Sequence, residues 1–264
     1  MAQIIYQVDA FTDRPFCGNP AGVVILDGPV EELWMRNIAR EMNLSETAFL
    51  YPVDDGFNLR WFTPAVEVDL CGHATLASAH ILYETKRLNS DAQARFHTKS
   101  GLLTAQKCGD WIELNFPAKF EEPAEIPIGL VEALDVSPLY VGKNQFDYLV
   151  EVVSEDAVRS IRPNFSLLKQ LPVRGTIVTA RSDEGSPYDF VSRFFAPAVG
   201  IDEDPVTGSA HTCLTPYWSA KLGKADMTAF QASERGGILM LKNLGERVTI
   251  SGQAVTVMTG EFVE

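Results

Sequence analysis

RWFTPAVEVD, from Arg60 to Asp69, returns in the second half of the chain as RFFAPAVGID, from Arg193 to Asp202. Six of the ten positions are identical, and the Trp/Phe and Val/Ile differences are conservative. Similarity at a long, fixed separation is typical of a duplicated structural unit. The chain of 264 residues is therefore interpreted as two related halves.

The similarity continues on both sides of this stretch. Upstream, TAFLYPVDDG (Thr47 to Gly56) aligns with TIVTARSDEG (Thr176 to Gly185). Downstream, each copy passes through an acidic loop to a glycine, a polar residue and an alanine, at positions 72–74 and 208–210. Three matches in the same order indicate two halves built on one plan. We expect the halves to face each other about a pseudo-two-fold axis.

The segments that follow the two glycines predict enclosed helices. GHATLASAHILYETKRL begins at Gly72, and GSAHTCLTPYWSAKLG begins at Gly208. Both are apolar or small on almost every face for three turns, which is typical of a helix surrounded on all sides. A helix start leaves backbone N–H groups without intrahelical partners, and it favours anions. Two such starts on one cleft would suit a substrate carboxylate.

Short extended segments make up most of the remaining chain. Runs rich in β-branched and aromatic residues, such as Thr47–Pro52 and Thr176–Ala180, predict strands. Val30–Met42 has apolar residues at helical spacing. The stretch Glu121–Pro127 is rich in Pro and Glu and is the best linker candidate. We therefore predict an N-terminal lobe, 1–120, and a C-terminal lobe, 121–264, with the last strand free to pack on the N-terminal lobe.

Composition excludes several classes of protein. The formal net charge is −13 and the pI is about 4.8, which argues against a basic nucleic-acid-binding face. No apolar run approaches the ~18 residues of a membrane helix, and the N-terminus shows no secretory signal. The four cysteines are scattered and form no CxxC motif. A cytoplasmic globular protein that binds neither nucleic acid nor membrane is expected.

Glu46 is the first candidate for chemistry. It lies in NLSETAF (Asn43 to Phe49), where a loop enters an apolar strand. The matching position of the second half is Gly175, so the carboxylate is not part of the shared scaffold. The apolar residues of the motif would remove water from it, which favours a general acid/base. A surface carboxylate or a helix-capping acid is the alternative.

Three further polar residues lie near the two glycines. His73 follows Gly72, and a helix start favours the neutral form of its imidazole; a structural histidine is the alternative. Asp204 is the acid of its loop expected nearest the cleft, and Ser209 occupies the position of His73 in the second half. GxSxG is absent, so an anion-binding hydroxyl is favoured over a nucleophile. The histidines show no metal-ligand spacing, and no metal is predicted.

Cys71 and Thr207 precede the two glycines. An epimerase with two bases would need a thiol at both positions, one on each face of the substrate. Threonine cannot form a thiolate, so this pair argues against a racemase. Asp204 would have to replace the missing thiol in that alternative.

Four motifs, in this order, resemble the phenazine-biosynthesis (PhzF-like) isomerase family. They are FCGNPAGVV (Phe16 to Val24), EMNLSETAF (Glu41 to Phe49), RWFTPAVEVDLCGHATLA (Arg60 to Ala77) and DEDPVTGSA (Asp202 to Ala210). The resemblance implies the diaminopimelate-epimerase-like fold, of class α/β (α+β). Such a fold has two pseudo-symmetric lobes, each a mostly antiparallel sheet wrapped around a central helix, with the active site between them.

The resemblance also implies a function. It makes the chain a cofactor-independent isomerase and homodimer, in which Glu46 moves a proton on a small carboxylate-bearing, amino-acid-like substrate. The implied substrate-binding residues are Gly72, His73, Asp204, Gly208 and Ser209. Two alternatives stay open: an amino-acid racemase or epimerase, and a catalytically silent protein that binds a carboxylate.

Overall fold

The protein is described by a computed structural model over residues 3–263. The strands are β1 (Gln3–Ala10), β2 (Asn19–Ile25), β3 (Glu46–Val53), β4 (Gly56–Phe62), β5 (Glu67–Val68), β6 (Ala94–Thr98), β7 (Gly101–Cys108), β8 (Trp111–Pro117), β9 (Glu122–Pro123), β10 (Tyr140–Lys143), β11 (Asp147–Glu151), β12 (Gly175–Arg181), β13 (Phe190–Phe195), β14 (Asp226–Gln231), β15 (Gly237–Asn243), β16 (Arg247–Gly252) and β17 (Ala254–Phe262). The helices are α1 (Glu32–Met42), α2 (Gly72–Glu84), α3 (Leu130–Leu134), α4 (Glu155–Ser160), α5 (Phe165–Leu168) and α6 (Gly208–Leu222).

The chain divides into two compact units. The first consists of Met1–Asn115 together with Ser251–Glu264, and the second is Phe116–Ile250. Strand β17 thus belongs to the first unit, where it pairs with β1 in antiparallel orientation. Residues 116–120, which the sequence boundary put in the N-terminal lobe, are in the second unit. None of the helices within residues 3–263 is long and apolar enough to cross a membrane.

The two units repeat one strand plan. In the first, β1 is antiparallel to β2, β2 parallel to β3, β3 antiparallel to β4, β4 parallel to β6, and β6 antiparallel to β7. In the second, β10 to β15 follow the same alternation in sequence order. Antiparallel pairs predominate in both units. The mixed α/β architecture implied by the family resemblance is therefore confirmed.

The duplication extends to register and side-chain contacts. Thr47 pairs with Phe62 in the first unit, and the equivalent Thr176 pairs with Phe195 in the second. The arginine that opens each copy of the ten-residue stretch makes a bidentate ion pair. Arg60 holds Glu67 at 2.7 and 2.8 Å, and Arg193 holds Glu203 at the same two distances. Planar guanidinium groups favour this paired geometry with carboxylates.

Each unit encloses one of the two predicted helices. Helix α2 packs on β1, β2 and β3, and ten of its thirteen residues are buried. Helix α6 continues through Pro216, which has no N–H to donate to the carbonyl of Thr212. The backbone N–H of Lys119 donates to that carbonyl instead, at 3.0 Å. Both helices begin at the glycine that the sequence indicated.

Helix α1 packs on β3 and β4 of the first unit. Its buried residues are Met35 and Ala39, and its polar residues remain in solvent. The ring of Trp34 meets Phe49 edge-on at 6.0 Å, and Phe49 meets Phe62 at 5.7 Å. Burying such side chains contributes roughly 1.5–3 kcal/mol each. This packing fixes α1 on β3, the strand that begins at Glu46.

One sequence expectation needs correction. Glu121–Pro127 is not simply a linker, because Glu122–Pro123 pairs with β10. The segment therefore contributes a two-residue strand to the sheet of the second unit.

Candidate active site

Glu46 is positioned by the turn between α1 and β3. Helix α1 ends at Met42, and Asn43 closes it in the left-handed conformation, with φ 50°. Asparagine tolerates this conformation better than most side chains. Three residues later Glu46 opens β3 and pairs with Ala21 of the parallel strand β2. Only 9% of Glu46 is exposed.

His73 faces Glu46 from the first turn of α2. Its Nε2 lies 3.3 Å from Oε2 of Glu46, and the histidine is 5% exposed. Burial lowers the pKa of His73 to about 3, so the imidazole is neutral at pH 7. Within residues 3–263, Nε2 has no hydrogen bond of good geometry. The contact is therefore a buried carboxylate beside a neutral imidazole, not a salt bridge.

The other nitrogen of the His73 ring has two neighbours. Nδ1 lies 3.2 Å from Nδ2 of Asn19 and 3.6 Å from Sγ of Cys71. The hydroxyl of Ser45 donates to Oδ1 of Asn19 at 3.2 Å. Asn19 lies in the FCGNPAGVV motif but is not among the candidate residues named from the sequence. Its place in that motif is the sequence feature that could have indicated a role for it.

Gly18 explains how Asn19 reaches this position. The glycine has φ +65°, and a Cβ there would come within 2.1 Å of the carbonyl oxygen of Ala10. A larger residue would therefore shift the start of β2. Asn19 itself pairs with Ala10 across β1 and is completely buried. The amide is thus held by strand geometry.

Glu46, Cys71 and His73 bring three possible metal-binding atoms within 4.8 Å of one another. Sequence spacing did not predict this cluster, because Glu46 comes from another element. Thiolate, imidazole and carboxylate are ligands that Zn²⁺ accepts. As they stand, however, the thiol faces Nδ1 and the carboxylate faces Nε2. One ion binds one ring nitrogen, so a thiol and a carboxyl group on opposite nitrogens of the ring are poorly placed to share an ion with it.

Asp204 belongs to a second cluster, in the second unit. It is 9% exposed, and its Oδ2 accepts from the hydroxyl of Thr207 at 2.5 Å. Gln231, which is fully buried, accepts the backbone N–H of Thr207 at 2.8 Å. It also donates to the backbone carbonyl of Asp204 at 2.7 Å. No sequence motif points to Gln231, which lies in the six-residue strand β14.

Gly208 and Ser209 form the first turn of α6, next to this cluster. Gly208 is buried and Ser209 is half-buried. Deeper in the helix, Nδ1 of His211 lies 2.8 Å from the carbonyl of Thr207. Thr75 makes the equivalent contact in α2, donating its hydroxyl to the carbonyl of Cys71 at 2.5 Å. The two helix starts are therefore built alike, but only the first one places an imidazole beside a carboxylate.

The structure groups the predicted site residues by unit. Glu46, Gly72 and His73 lie together in the first unit, and Asp204, Gly208 and Ser209 lie within one short segment of the second. The first group combines a buried carboxylate with a neutral N–H donor. The second combines a carboxylate with a helix N-terminus, which attracts anions. The substrate-binding roles of these residues remain predictions.

Comparison with known proteins identifies relatives along the whole chain. The family model described as phenazine biosynthesis-like protein (PhzC-PhzF) matches residues 8–260. An uncharacterized isomerase of Halalkalibacterium halodurans is 54% identical over 264 residues, covering 100% of this chain and 99% of its own. A crystal structure of a PhzF-family protein from Enterococcus faecalis has a TM-score of 0.96 at 40% identity, with 100% of both chains covered.

A more distant structure supports the fold alone. A "Predicted Epimerase" from Pseudomonas aeruginosa has a TM-score of 0.74 at 21% identity, with 99% of each chain covered. It is similar in fold, which confirms the epimerase-like architecture implied by the motifs. The motifs, the duplicated strand plan and these relatives agree. This chain belongs to the phenazine biosynthesis-like (PhzC-PhzF) family and is an enzyme of the isomerase class.

Proposed function

We propose that this isomerase moves a proton between carbon atoms of a small carboxylate-bearing, amino-acid-like substrate, with Glu46 as the general acid/base. One observation carries the proposal: the buried Glu46 carboxylate lies 3.3 Å from the nitrogen of a neutral imidazole. A positioned carboxylate with little water around it is suited to accept and return a proton. Such groups typically contribute about 10²–10⁴-fold to rate.

The proton shift balances without a redox partner. The Glu46 carboxylate takes a proton from a carbon activated by conjugation, so a C–H bond breaks and the glutamate becomes neutral. The electron pair delocalises over the substrate. The same carboxyl group then gives its proton to another carbon, where a new C–H bond forms. The substrate is neither oxidised nor reduced.

His73 would act as a hydrogen-bond donor in this reaction. Its pKa of about 3 keeps it neutral throughout the physiological range. A neutral N–H can stabilise charge that develops on a substrate oxygen or nitrogen, as a fixed donor in a buried site. Because the imidazole carries no extra proton, the shuttling proton is assigned to Glu46.

The substrate carboxylate is assigned to the helix starts. Gly72 and Gly208 begin helices of 13 and 15 residues, whose N-termini favour anions. The hydroxyl of Ser209 would add a donor, and Asp204 would accept from an amine or hydroxyl of the substrate. These assignments rest on the family resemblance together with the local geometry of each unit.

The contacts of Cys71 and Thr207 favour an isomerase over an epimerase. Epimerisation replaces a proton from the opposite face of the carbon, so it needs a second base. The Thr207 hydroxyl donates to Asp204 and is no base at neutral pH. The Cys71 thiol lies beside the same imidazole that faces Glu46. A single proton carrier accounts for these contacts more simply.

Proton exchange followed by NMR in deuterated buffer tests the proposal. The wild-type enzyme is given dihydro-3-hydroxyanthranilate and then a panel of small amino and hydroxy acids. Deuterium that enters at a new carbon, with a shifted double bond, supports the isomerase. Exchange at one stereocentre with inversion identifies an epimerase instead. If no compound exchanges although carboxylates bind, the silent binding protein is favoured.

A further inference from the structure

We propose that Asn19 is a positioning residue that holds His73 in the tautomer with its hydrogen on Nε2, the nitrogen that faces Glu46. The question is which ring nitrogen of the buried imidazole carries its one hydrogen. It deepens the proposed function, since the Nε2–H group would be the donor offered to substrate. The tautomer itself can be measured whether or not Glu46 proves catalytic.

The first argument comes from the Nδ1 side of the ring. Nδ2 of Asn19 can only donate a hydrogen bond, and it lies 3.2 Å from Nδ1 of His73. The Ser45 hydroxyl donates to Oδ1 of the same amide at 3.2 Å, which turns the NH₂ group toward the ring. Nδ1 must therefore present its lone pair.

The Nε2 side of the ring leads to the same tautomer. In the carboxylate form that would take a proton from substrate, Glu46 can only accept a hydrogen bond, and its Oε2 lies 3.3 Å from Nε2. A lone pair on Nε2 would face that oxygen with like polarity, whereas an N–H group is attracted to it. Because the ring is neutral at pH 7, it carries one hydrogen. Both sides of the ring require that hydrogen to be on Nε2.

Cys71 supports the assignment from a third direction. Its Sγ lies 3.6 Å from Nδ1, within the range of a thiol donor. A thiol can donate to the same lone pair that Asn19 approaches. It therefore adds to the preference for hydrogen on Nε2.

The other buried histidine of the chain provides an internal contrast. Nδ1 of His211 lies 2.8 Å from the carbonyl of Thr207, which can only accept. Its Nε2 lies 3.4 Å from the hydroxyl of Ser192. His211 must therefore carry its hydrogen on Nδ1, which is the opposite tautomer to His73. Two buried neutral histidines thus differ because one meets an amide NH₂ and the other a carbonyl.

Nitrogen-15 NMR of the full-length protein labelled at histidine tests this assignment. Two-bond correlations at pH 7.5 distinguish protonated from unprotonated ring nitrogens, and loss of one signal set in His73→Gln identifies His73. We expect hydrogen on Nε2 of His73 and on Nδ1 of His211. In Asn19→Asp, a carboxylate oxygen would replace the NH₂ group and accept, so Nδ1 of His73 should become protonated. Hydrogen on Nδ1 in the wild type, or an unprotonated Nδ1 in Asn19→Asp, would overturn the inference.

Asn89→Asp is the matched control. Asn89 is exposed in the same unit, so this variant carries the same change of charge without touching the ring. It should leave the His73 signals and the exchange rate unchanged. Asn19→Asp should lower the rate of substrate exchange by on the order of 10–100-fold, the range seen when a metal-binding histidine loses the partner that fixes its tautomer. The loss should be in kcat, with little change in KM.

Two further results complete the test. If Asn19→Asp does not fold, Ser45→Ala replaces it: without its hydroxyl donor the amide can turn, and a measurable fraction of His73 should shift to Nδ1–H. A pure Nε2–H signal in both folded variants would contradict the role of Asn19. If the tautomer switches as expected while the exchange rate is unaffected, the assignment of Asn19 stands and the proposed donor role of His73 fails.

Discussion

Oε2 of Glu46 and Nε2 of His73 lie 3.3 Å apart, although Glu46 opens a strand and His73 lies in the first turn of a helix. Both side chains are buried, and burial keeps the imidazole neutral. A buried carboxyl group therefore faces a neutral imidazole. The two residues should therefore respond differently to substitution and to pH.

His73 should contribute a hydrogen bond rather than a proton. His73→Phe removes the donor and should lower kcat by about 10²–10³-fold, the usual effect of losing a fixed donor at developing charge. His73→Gln keeps an N–H group and should lose less. Steady-state kinetics on the substrate identified by the exchange assay measures both. Equal losses in the two variants would argue against a donor role.

Cys71 separates the isomerase from the epimerase. Cys71→Ala should lower the exchange rate by less than about 10-fold. In the proposed isomerase the thiol contacts Nδ1 of His73 and does not itself carry the proton. An epimerase that used this thiol as a base would lose 10²-fold or more. Cys108→Ala, at an exposed position of the same unit, is the control for removing a thiol.

Gln231 should stabilise the loop that carries Asp204. Gln231→Ala would leave the buried N–H of Thr207 and the carbonyl of Asp204 without their partner. Each unsatisfied buried group costs about 1–3 kcal/mol, so we expect the loss of both partners to lower the free energy of unfolding by roughly 2–6 kcal/mol. Urea titration measures it. Gln170→Ala, at an exposed position in the turn after α5, should change stability by less than about 0.5 kcal/mol.

The two buried histidines should make the protein less stable below pH 6.5. Burial lowers the pKa of His73 to about 3 and that of His211 to about 4. The unfolded chain therefore binds more protons than the folded one between those values and about 6.5, and stability falls as pH falls through this window. From pH 7 to pH 5 the loss should be about 2 kcal/mol for each histidine.

Urea titration at both pH values isolates one histidine at a time. In His211→Gln, the drop from pH 7 to pH 5 should be smaller than in the wild type by about 2 kcal/mol. His97 is the control, because it lies near the surface, where it contacts the carbonyl of Asp55. His97→Gln should show the wild-type drop. If His211→Gln shows the same drop in stability as the wild type, folding does not lower the pKa of His211.

The duplicated segments predicted two related halves, because a duplication is visible in the sequence alone, whereas the fold itself came from the family resemblance. Aligning the matching stretches that begin at Arg60 and Arg193 identified two equivalent hairpins. It also identified the two glycines that begin helices. Strand β2 was missed, since NPAGVVI begins with residues that usually interrupt strands. Helices α4 and α5 were missed because six and four residues are too few to show a period.

The candidate site was predicted only in part. Glu46 and His73 were identified from their positions in the NLSETAF motif and after Gly72. Their contact depends on how β3 packs against α2, which the spacing of residues in the sequence does not determine. Asn19 acts through one amide held by a strand partner, and Gln231 acts through two backbone groups. Such residues resemble ordinary buried polar residues in a single sequence. Their roles can be recognised only when the structure gives the positions of both the donor and the acceptor of each hydrogen bond.

Glu46→Gln tests the central claim most directly. The measurement is deuterium incorporation from solvent into a substrate that the wild-type enzyme exchanges, together with binding of that substrate. Glu41→Gln, at an exposed position of α1, is the control and should keep the wild-type rate. We expect Glu46→Gln to bind the substrate and to lose at least about 10²-fold in exchange rate. Exchange at the wild-type rate in folded Glu46→Gln would show that another group carries the proton.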